Sequence, residues 1–309
     1  MKRVFILLEE QWQSESLPEA EAAVRTYREY GFDAELRVFG ARERIERVRE
    51  RMCEARAAFG TLCIADSWRL LGQLADCGAA FCAYSHSGNA GEDLSAAEYI
   101  LMEPQWVDRD SLVKIWQRQR NLPWTILQTE RCIVREFVPE DLDAIYELYD
   151  EEARRFLEAP SGNRSLEKEI LTAYIRRVYR LGGYGDWAVI EKTSGRLIGR
   201  MGYSFPSAET PEPAPDVTFG YLIHSGWRGR GIAKEAGKAI LEYGFTQLGF
   251  ETIGADAAVS NTVSDKLLRS FGFVPASDSV PSDRIENNRI ENNRIEDRRY
   301  YVLTREVLS

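Results

Sequence analysis

The stretch Trp227-Arg228-Gly229-Arg230-Gly231-Ile232-Ala233 has the residue types and spacing of a phosphate-binding turn. It follows a strand-like run, Val217–His224, and precedes an amphipathic segment, Ile232–Leu248. A glycine turn between a strand and a helix exposes N–H groups that have no partner within the helix, at the positive end of the helix dipole. Glycines also let the backbone approach a ligand closely. The stretch therefore predicts a site for a phosphate-bearing molecule.

Other phosphate and nucleic-acid motifs fit this stretch poorly. A Walker loop needs Gly-Lys-Ser/Thr, and a dinucleotide fingerprint needs a third glycine after Gly229 and Gly231. An Arg-Gly-Arg-Gly run could contact RNA, but the chain carries a net charge of −9. Because a general nucleic-acid binder is expected to present a basic face, we expect no nucleic-acid partner.

The elements around the turn suggest a sheet flanked by helices. The turn Lys192–Gly195 is short enough to join its neighbouring strands as an antiparallel hairpin. An amphipathic period predicts that the segment after Gly231 is a helix with one buried face. We predict strands at 129–137, 186–191, 196–205, 217–224 and 299–303, and helices that begin near Glu140, Leu166 and Ile232.

These motifs resemble the GNAT acetyltransferase superfamily, and most closely its branch of ribosomal-protein-alanine and related N-acetyltransferases. Arg228, Gly231 and Ala233 fill the family signature R/Q-x-x-G-x-G/A, after the strand motif Phe219-Gly220-Tyr221-Leu222-Ile223. Downstream, Asn261-Thr262-Val263-Ser264 and then Gly272-Phe273 fit the N-x-x-S…G-F pattern of that branch. The resemblance covers residues 128–309. It implies an α+β domain with a central mixed, mostly antiparallel sheet.

The resemblance implies acetyl-CoA as co-substrate and an amine as acceptor, joined in one ternary complex without a covalent enzyme intermediate. The glycine turn would hold the pyrophosphate, and the pantetheine arm would add to the strand that ends at His224. A backbone N–H of Leu222 or Ile223 would stabilise the charge that develops on the thioester oxygen. The residues expected to bind the cofactor are Leu222, Ile223, His224, Arg228, Gly229, Arg230, Gly231, Ile232, Ala233 and Asn261.

The proton transfers are less clearly marked. The departing thiolate needs a proton, and many family members supply it from a tyrosine on the last helix. No tyrosine occurs between Asn261 and Phe273, and Ser264 occupies the branch's alternative position, so Ser264 is the candidate acid; helix capping is the competing role. Asp216 and Asp256 are candidate bases by topology, as is Glu191, with ordered water as the alternative.

Residues 1–127 predict a separate Rossmann-like domain with a mostly parallel sheet, because short apolar runs alternate with helical patterns, one of them at 42–59. Asp66 and His86 follow predicted strands, where ligands of such sheets bind. We expect Asp66 to cap the next helix and His86 to be solvated. The domain weakly resembles the haloacid-dehalogenase type but has Glu9-Glu10-Gln11 where a phosphatase needs D-x-D. A non-catalytic accessory domain is therefore predicted.

The boundary between the two predicted domains is placed after Leu127. Within the second domain, the five-residue unit Arg284-Ile285-Glu286-Asn287-Asn288 repeats at 289–293 and begins again at Arg294. We interpret residues 284–297 as a solvated insertion between the last two strands. Our hypothesis is that this insertion borders the acceptor pocket.

Composition limits the remaining possibilities. Five scattered cysteines and two histidines indicate neither a zinc site nor a disulfide framework, so no metal is expected. Without a run of about 20 apolar residues the chain is expected to be cytoplasmic, with no membrane partner. The leading interpretation is an N-acetyltransferase acting on a small-molecule amine or a protein N-terminus. The alternative is a non-catalytic acyl-CoA sensor with the first domain as output.

Overall fold

The computed structural model describes residues 1–40, 60–207, 210, 212–276 and 298–308. The chain divides into two compact units, Met1–Trp124 and Thr125–Ser309. The division falls before the boundary expected after Leu127, because Thr125–Gln128 forms a strand that pairs within the second unit. The helix predicted at 42–59 and the repeat insertion at 284–297 lie outside the described residues.

The first unit is built on a parallel sheet, as the alternating pattern predicted. Its strands are β1 Arg3–Glu9, β2 Asp33–Phe39, β3 Thr61–Ala65, β4 Ala80–Tyr84 and β5 Ile100–Leu101, and its helices are α1 Gln13–Glu29, α2 Trp68–Asp76 and α3 Arg109–Gln119. The strand order is β2-β1-β3-β4-β5. All neighbouring strands in this order run parallel.

Helices cover both faces of this sheet, which explains the continuous apolar sequence of β1. Ile6 packs into a cluster with Tyr27 of α1 and Trp116 of α3. Leu7 points to the opposite face and packs with Leu70 of α2. Because successive side chains alternate between faces, a strand buried on both sides needs apolar residues at every position.

The second unit contains an eight-stranded mixed sheet with the order β12-β13-β11-β10-β9-β8-β7-β6. Its strands are β6 Thr125–Gln128, β7 Cys132–Arg135, β8 Asp186–Glu191, β9 Leu197–Ser204, β10 Val217–Ile223, β11 Thr252–Ala258, β12 Val274–Pro275 and β13 Arg298–Thr304, and its helices are α4 Leu142–Leu148, α5 Arg164–Gly182, α6 Ile232–Thr246 and α7 Thr262–Ser270. Among the described strands of this sheet, β10 and β11 pair in parallel and the other neighbours are antiparallel. The mixed, mostly antiparallel sheet expected from the sequence is confirmed.

The side chains of β10 separate the two faces of this sheet. Leu222 packs with Phe137 and with Leu148 of α4. Phe219 points to the other face, where its ring contacts those of Phe271 and Phe273 after α7. The helices α6 and α7 therefore lie on the Phe219 face, and α4 lies on the Leu222 face. Among the described residues, no helix is long and apolar enough to cross a membrane.

Candidate active site

The turn of residues 228–231, here called the glycine turn, joins a short 3-10 segment after β10 to α6. Gly229 and Gly231 have φ values of 72° and 78°, in the left-handed region that favours glycine. Gly231 is the N-cap of α6 and offers no side chain to the helix. The first N–H to bond back within the helix is that of Glu235, to the Gly231 carbonyl. The N–H groups of Ile232 and Ala233 therefore remain available to an anionic ligand.

Arg228 anchors the glycine turn through its side chain. Its Nε donates to the Ile223 carbonyl oxygen at 2.9 Å, and Nη1 lies 2.7 Å from a carboxylate oxygen of Glu152 and 2.8 Å from one of Asp150. The guanidinium therefore ties the turn to the end of β10 and to the segment after α4. The placement of Arg228 among the cofactor-binding residues stays a prediction.

Arg131 also supports the glycine turn, a contact that the sequence did not predict. Its Nη1 donates to the Arg230 carbonyl oxygen at 2.8 Å, and its Nε and backbone N–H hold the two carboxylate oxygens of Glu235 at 2.6 and 2.9 Å. The contact joins the residue before β7 to the first turn of α6. Arg131 also neutralises a carboxylate next to the proposed phosphate site.

Arg230 is the cation of the glycine turn that is available to a ligand. Its side chain is exposed, and within the described ranges no carboxylate pairs with it. Its guanidinium carbon lies 5.9 Å from the centre of the Trp227 ring. The Arg196 guanidinium lies 5.2 Å from the same ring. The turn therefore presents a positive surface beside the helix N-terminus.

β10 pairs with β11 only at Val217 and Thr218. An opening therefore lies beside the rest of β10. We call the space beyond Thr218 the β10–β11 opening. On its other edge, β10 stays paired with β9 as far as Ile223. A strand that loses one neighbour in this way leaves backbone groups along one edge for another extended chain.

The alternation of the β9–β10 ladder decides which N–H groups face the opening. The His224 N–H donates to the Ile198 carbonyl of β9 at 2.8 Å. Because antiparallel ladders alternate, Leu222 also directs its N–H at β9, whereas Tyr221 and Ile223 direct theirs away from it. Of the expected pair, Ile223 directs its N–H into the opening and Leu222 directs its N–H at β9; the N–H of Tyr221 faces the opening as well.

His224 is also engaged in local structure. Besides its backbone bond to β9, its ring Nδ1 accepts the Gly226 N–H at 3.0 Å. The side chain thereby caps the short 3-10 segment Ser225–Trp227. Its backbone N–H and its Nδ1 thus have partners within the protein, and the placement of His224 among the cofactor-binding residues stays a prediction.

The expected residues Asn261 and Ser264 meet at the start of α7. Asn261 caps the helix, because its Oδ1 accepts the Ser264 N–H at 3.0 Å. The Ser264 Oγ in turn accepts a hydrogen bond of 3.1 Å from the hydroxyl of Tyr221. Burial raises the pKa of Tyr221, so this hydroxyl keeps its proton at neutral pH. The sequence placed Tyr221 within a strand motif, but its contact with a residue 43 positions away depends on tertiary packing.

Residues 131–274 match the family model described as an acetyltransferase (GNAT) domain. Over 148 residues the chain is 27% identical to the uncharacterized N-acetyltransferase p20 of Bacillus licheniformis, with 48% of this chain and 81% of that protein covered. Over 151 residues it is 28% identical to the uncharacterized N-acetyltransferase YoaA of Bacillus subtilis strain 168, with 48% and 82% covered. Residues 131–274 form a GNAT acetyltransferase domain.

The resemblance stated from the motifs is confirmed, and so is the expectation of an acyltransferase enzyme. Among solved structures, the chain is similar to the ribosomal-protein-S5-alanine acetyltransferase from Vibrio fischeri. The two are 20% identical with a TM-score of 0.46, and the match covers 58% of this chain and 95% of that one.

The carboxylates expected as bases in the GNAT domain form hydrogen bonds or ion pairs within the protein. Asp216 accepts the N–H groups of Glu251 and Thr252 at 2.7 and 2.9 Å through one oxygen. Asp256 forms an ion pair with Arg298 of β13. Each side chain thus has a structural partner, and its role as a base stays a prediction.

Glu191 has a structural role as well. It accepts hydrogen bonds from the Ser194 side chain and backbone within the β8–β9 hairpin, and these bonds hold the pKa of Glu191 below its usual range. In the described part of the chain, no group of three or more His, Cys, Asp or Glu side chains is placed to hold a metal ion.

In the first unit, strand-end residues form a second buried polar cluster. His86 Nε2 lies 3.5 Å from an Asp66 carboxylate oxygen, and the Glu9 N–H donates to Asp66 at 3.0 Å. Burial raises the pKa of Asp66 to about 8. His86, expected to be solvated, is instead 3% exposed at its side chain. The capping expected of this segment is performed by Ser67, whose Oγ accepts the Leu70 N–H.

Proposed function

We propose that the GNAT domain transfers an acetyl group from acetyl-CoA to a primary amine, by direct attack within a ternary complex. The observation that carries this proposal is the β10–β11 opening, which extends along β10 towards the glycine turn. Coenzyme A has an extended pantetheine arm with a pyrophosphate at one end. The arm fits the open edge of β10, and the pyrophosphate fits the N-terminus of α6. The acceptor is a small-molecule amine or a protein N-terminus.

The cofactor would be held mainly by backbone groups. The N–H groups of Ile232 and Ala233, with the Gly229–Gly231 backbone and the Arg230 side chain, bind the pyrophosphate. The pantetheine arm pairs with the free edge of β10 at Tyr221 and Ile223. The side-chain amide nitrogen of Asn261 donates to the same arm, since its oxygen is taken by the helix cap.

The reaction needs charge stabilisation at two atoms. The amine attacks the thioester carbonyl, and the negative charge on its oxygen is stabilised by one of the two β10 N–H groups that face the opening, those of Tyr221 and Ile223. When the tetrahedral intermediate collapses, the electron pair of the carbon–sulfur bond goes to sulfur. The Ser264 hydroxyl donates a hydrogen bond to that sulfur and stabilises the thiolate. Nitrogen as the accepting atom is consistent with the names of both curated relatives, which are N-acetyltransferases.

The first unit has an accessory, non-catalytic role in this proposal. The candidate Asp66 accepts the Glu9 N–H, and the Glu9 carboxylate pairs with Arg69. Ser67 adds a further bond of 2.8 Å to Glu9. Groups that are committed to one another in this way are not arranged to receive a substrate.

Calorimetry with acetyl-CoA, followed by thiol release with a panel of amines, tests the proposed function. We expect binding of acetyl-CoA and release of free coenzyme A that depends on the amine. The panel contains an N-terminal peptide, a polyamine, an aminoglycoside and an amino acid. Binding without release by any amine would favour the acyl-CoA sensor, and absence of binding would exclude both.

A further inference from the structure

We propose that Tyr221 is a positioning residue that aims the hydroxyl proton of Ser264 at the sulfur of coenzyme A. This inference rests on the proposed function, because it concerns the departing thiolate in the same site. It concerns a strand residue to which the signature motifs give no role. Two observations carry it: the hydrogen bond between the two hydroxyls, and the position of Tyr221 along the β10–β11 opening.

The two hydroxyls join the walls of the opening. Tyr221 lies on β10 beyond Thr218, where pairing with β11 has ended, and Ser264 lies in the first turn of α7. The Tyr221 hydroxyl donates to Ser264 Oγ at 3.1 Å. Ser264 is 9% exposed, so few competing solvent contacts reach it. A ligand arm that pairs with Tyr221 would pass directly beside this hydroxyl pair.

The hydrogen bond fixes the direction in which Ser264 can donate. A serine hydroxyl has one proton and two acceptor positions. Because Tyr221 fills one acceptor position with its own proton, the serine proton must point elsewhere. In the part of the chain that the structure describes, the Ser264 hydroxyl proton has no acceptor, whereas its backbone N–H is capped by Asn261. The unused donor is therefore available to a ligand atom in the opening.

Tyr221 keeps this orientation because it holds its own proton firmly. Its ring stacks on Phe219 with centroids 6.1 Å apart, and burial disfavours the phenolate. Hydrogen bonds in series also polarise one another, so a serine that accepts from tyrosine is a stronger donor. Tyr221 thus acts on the sulfur through Ser264 and does not contact it.

The step balances without an additional reactant. The carbon–sulfur bond breaks, its electron pair moves to sulfur, and the Ser264 hydroxyl stabilises the thiolate by a hydrogen bond while retaining its proton. The amine releases one proton to solvent when the amide forms. The coenzyme A thiolate takes up one proton from solvent after it leaves.

The test compares Tyr221→Phe with Ser264→Ala and with the double variant. A hydrogen bond to a charged group is worth about one to two powers of ten, so we expect Ser264→Ala to lower kcat about thirtyfold. Tyr221→Phe leaves the serine in place but undirected, and we expect a fall in kcat of about fivefold, with the KM for acetyl-CoA changed less than about twofold. The double variant should be no slower than Ser264→Ala, because both changes remove one interaction.

The matched control is Tyr203→Phe. Tyr203 lies on the neighbouring strand β9, and its buried hydroxyl also bonds a helix, by donating to the Ile240 carbonyl of α6 at 2.7 Å. Tyr203→Phe should therefore lower stability as Tyr221→Phe does, while kcat stays at the wild-type value. A fall in kcat of equal size in the control would assign the effect of Tyr221→Phe to packing.

A second measurement is independent of any acceptor. The pKa of the thiol of bound coenzyme A is followed by the ultraviolet absorbance of its thiolate as pH rises. A hydroxyl that donates to sulfur lowers this pKa, so we expect a higher value in Tyr221→Phe and in Ser264→Ala than in the wild type or Tyr203→Phe. Equal thiol titrations in all four proteins would overturn the inference, as would additive losses of kcat.

The two measurements separate the inference from the proposed function. If no amine releases coenzyme A, the acetyl transfer is excluded, and the thiol titration still decides whether Tyr221 and Ser264 act on sulfur. If coenzyme A does not bind the wild-type protein, both proposals are overturned.

Discussion

A substitution at Gly231 tests whether the glycine turn binds acetyl-CoA. A Cβ at Gly231 would meet no close contact, with the nearest atom, Arg131 Nη2, at 3.5 Å, so its φ of 78° is the constraint. We expect Gly231→Ala to cost about 1–2 kcal/mol of stability from backbone strain. Relief of that strain would turn the N–H groups of the turn away, so we expect acetyl-CoA to bind at least about tenfold more weakly in calorimetry.

Gly195→Ala is the matched control for this change. Gly195 has a φ of 69° and equally open surroundings, but it lies in the β8–β9 hairpin. The two variants should lose similar stability in urea unfolding, and only Gly231→Ala should lose affinity for acetyl-CoA. Equal affinities in the two variants would show that the turn does not bind the cofactor.

The sequence predicted local backbone conformation better than the partners of charged side chains. The conformation of Gly231 follows from a local motif, so its place before α6 could be predicted from the residues alone. Arg228 and Asp216 were assigned to the ligand or the reaction, yet their partners, Asp150 and Glu251, are distant in sequence. Residue type does not show whether a charged group faces a ligand or another part of the protein.

The packing between α6 and the end of α7 leads to a prediction about stability. A Cβ on Gly237 of α6 would lie 2.5 Å from the Phe271 ring, so the two elements touch through this glycine. We expect Gly237→Ala to lower the free energy of unfolding by about 1–3 kcal/mol, because the ring cannot move away without disturbing the core. Urea unfolding followed by circular dichroism measures the change.

Gly72 provides a control with the opposite sign. It lies within α2, where a Cβ would have no neighbour within 4 Å, and its φ is not positive. We expect Gly72→Ala to raise the free energy of unfolding by about 0.5–1 kcal/mol, because alanine favours the helix. A destabilised Gly72→Ala variant, or an unchanged Gly237→Ala variant, would contradict this account of the two helices.

The polar groups at the carboxyl ends of β1 and β3 lead to a prediction of how the free energy of unfolding depends on pH. Burial raises the pKa of Asp66 to about 8, whereas an unfolded aspartate titrates near 4. The native chain thus holds a proton that the unfolded chain releases. This contribution to stability is complete below about pH 4 and is lost as pH rises towards 8, with a slope of at most about 1.4 kcal/mol per pH unit.

The comparison of wild type with Asp66→Asn isolates that contribution. The amide cannot titrate, so we expect the free energy of unfolding to fall less steeply between about pH 5 and about pH 8 in the variant. The neighbouring His86, whose pKa is lowered by burial, acts in the opposite direction at acid pH in both proteins. Asp33→Asn removes an exposed carboxylate and should keep the wild-type slope; parallel curves for Asp66→Asn would contradict the prediction.

Element types were predicted well where apolar patterns were long, and less well at their ends. β8 was predicted at its observed bounds, Asp186–Glu191. α1 begins at Gln13 and continues through Pro18, a residue that usually marks a helix start, so its first turn is hard to predict from the sequence. β6 was not predicted and the domain boundary was placed within it, after Leu127, since a four-residue strand is defined by its partner β7 more than by its own pattern.

The candidate active site and the family match both lie in the second unit. The family match covers 131–274, and the glycine turn, the β10–β11 opening and Ser264 all lie within it. The first unit contributes a parallel sheet whose strand-end polar groups bond to one another. The sequence alone predicted this division of roles from the missing D-x-D motif and the position of the glycine turn.

Truncation tests that division directly. A chain that begins at Thr125 keeps β6 paired with β7, and we expect it to fold and to bind acetyl-CoA within about twofold of the full-length affinity, because each unit buries its own core. A chain that begins at Thr129 lacks β6 and exposes the edge of β7, so it should unfold at lower urea concentration. Thiol release by the Thr125 chain at the full-length rate would support an accessory role for the first unit; loss of release with intact acetyl-CoA binding would assign that unit a part in acetyl transfer.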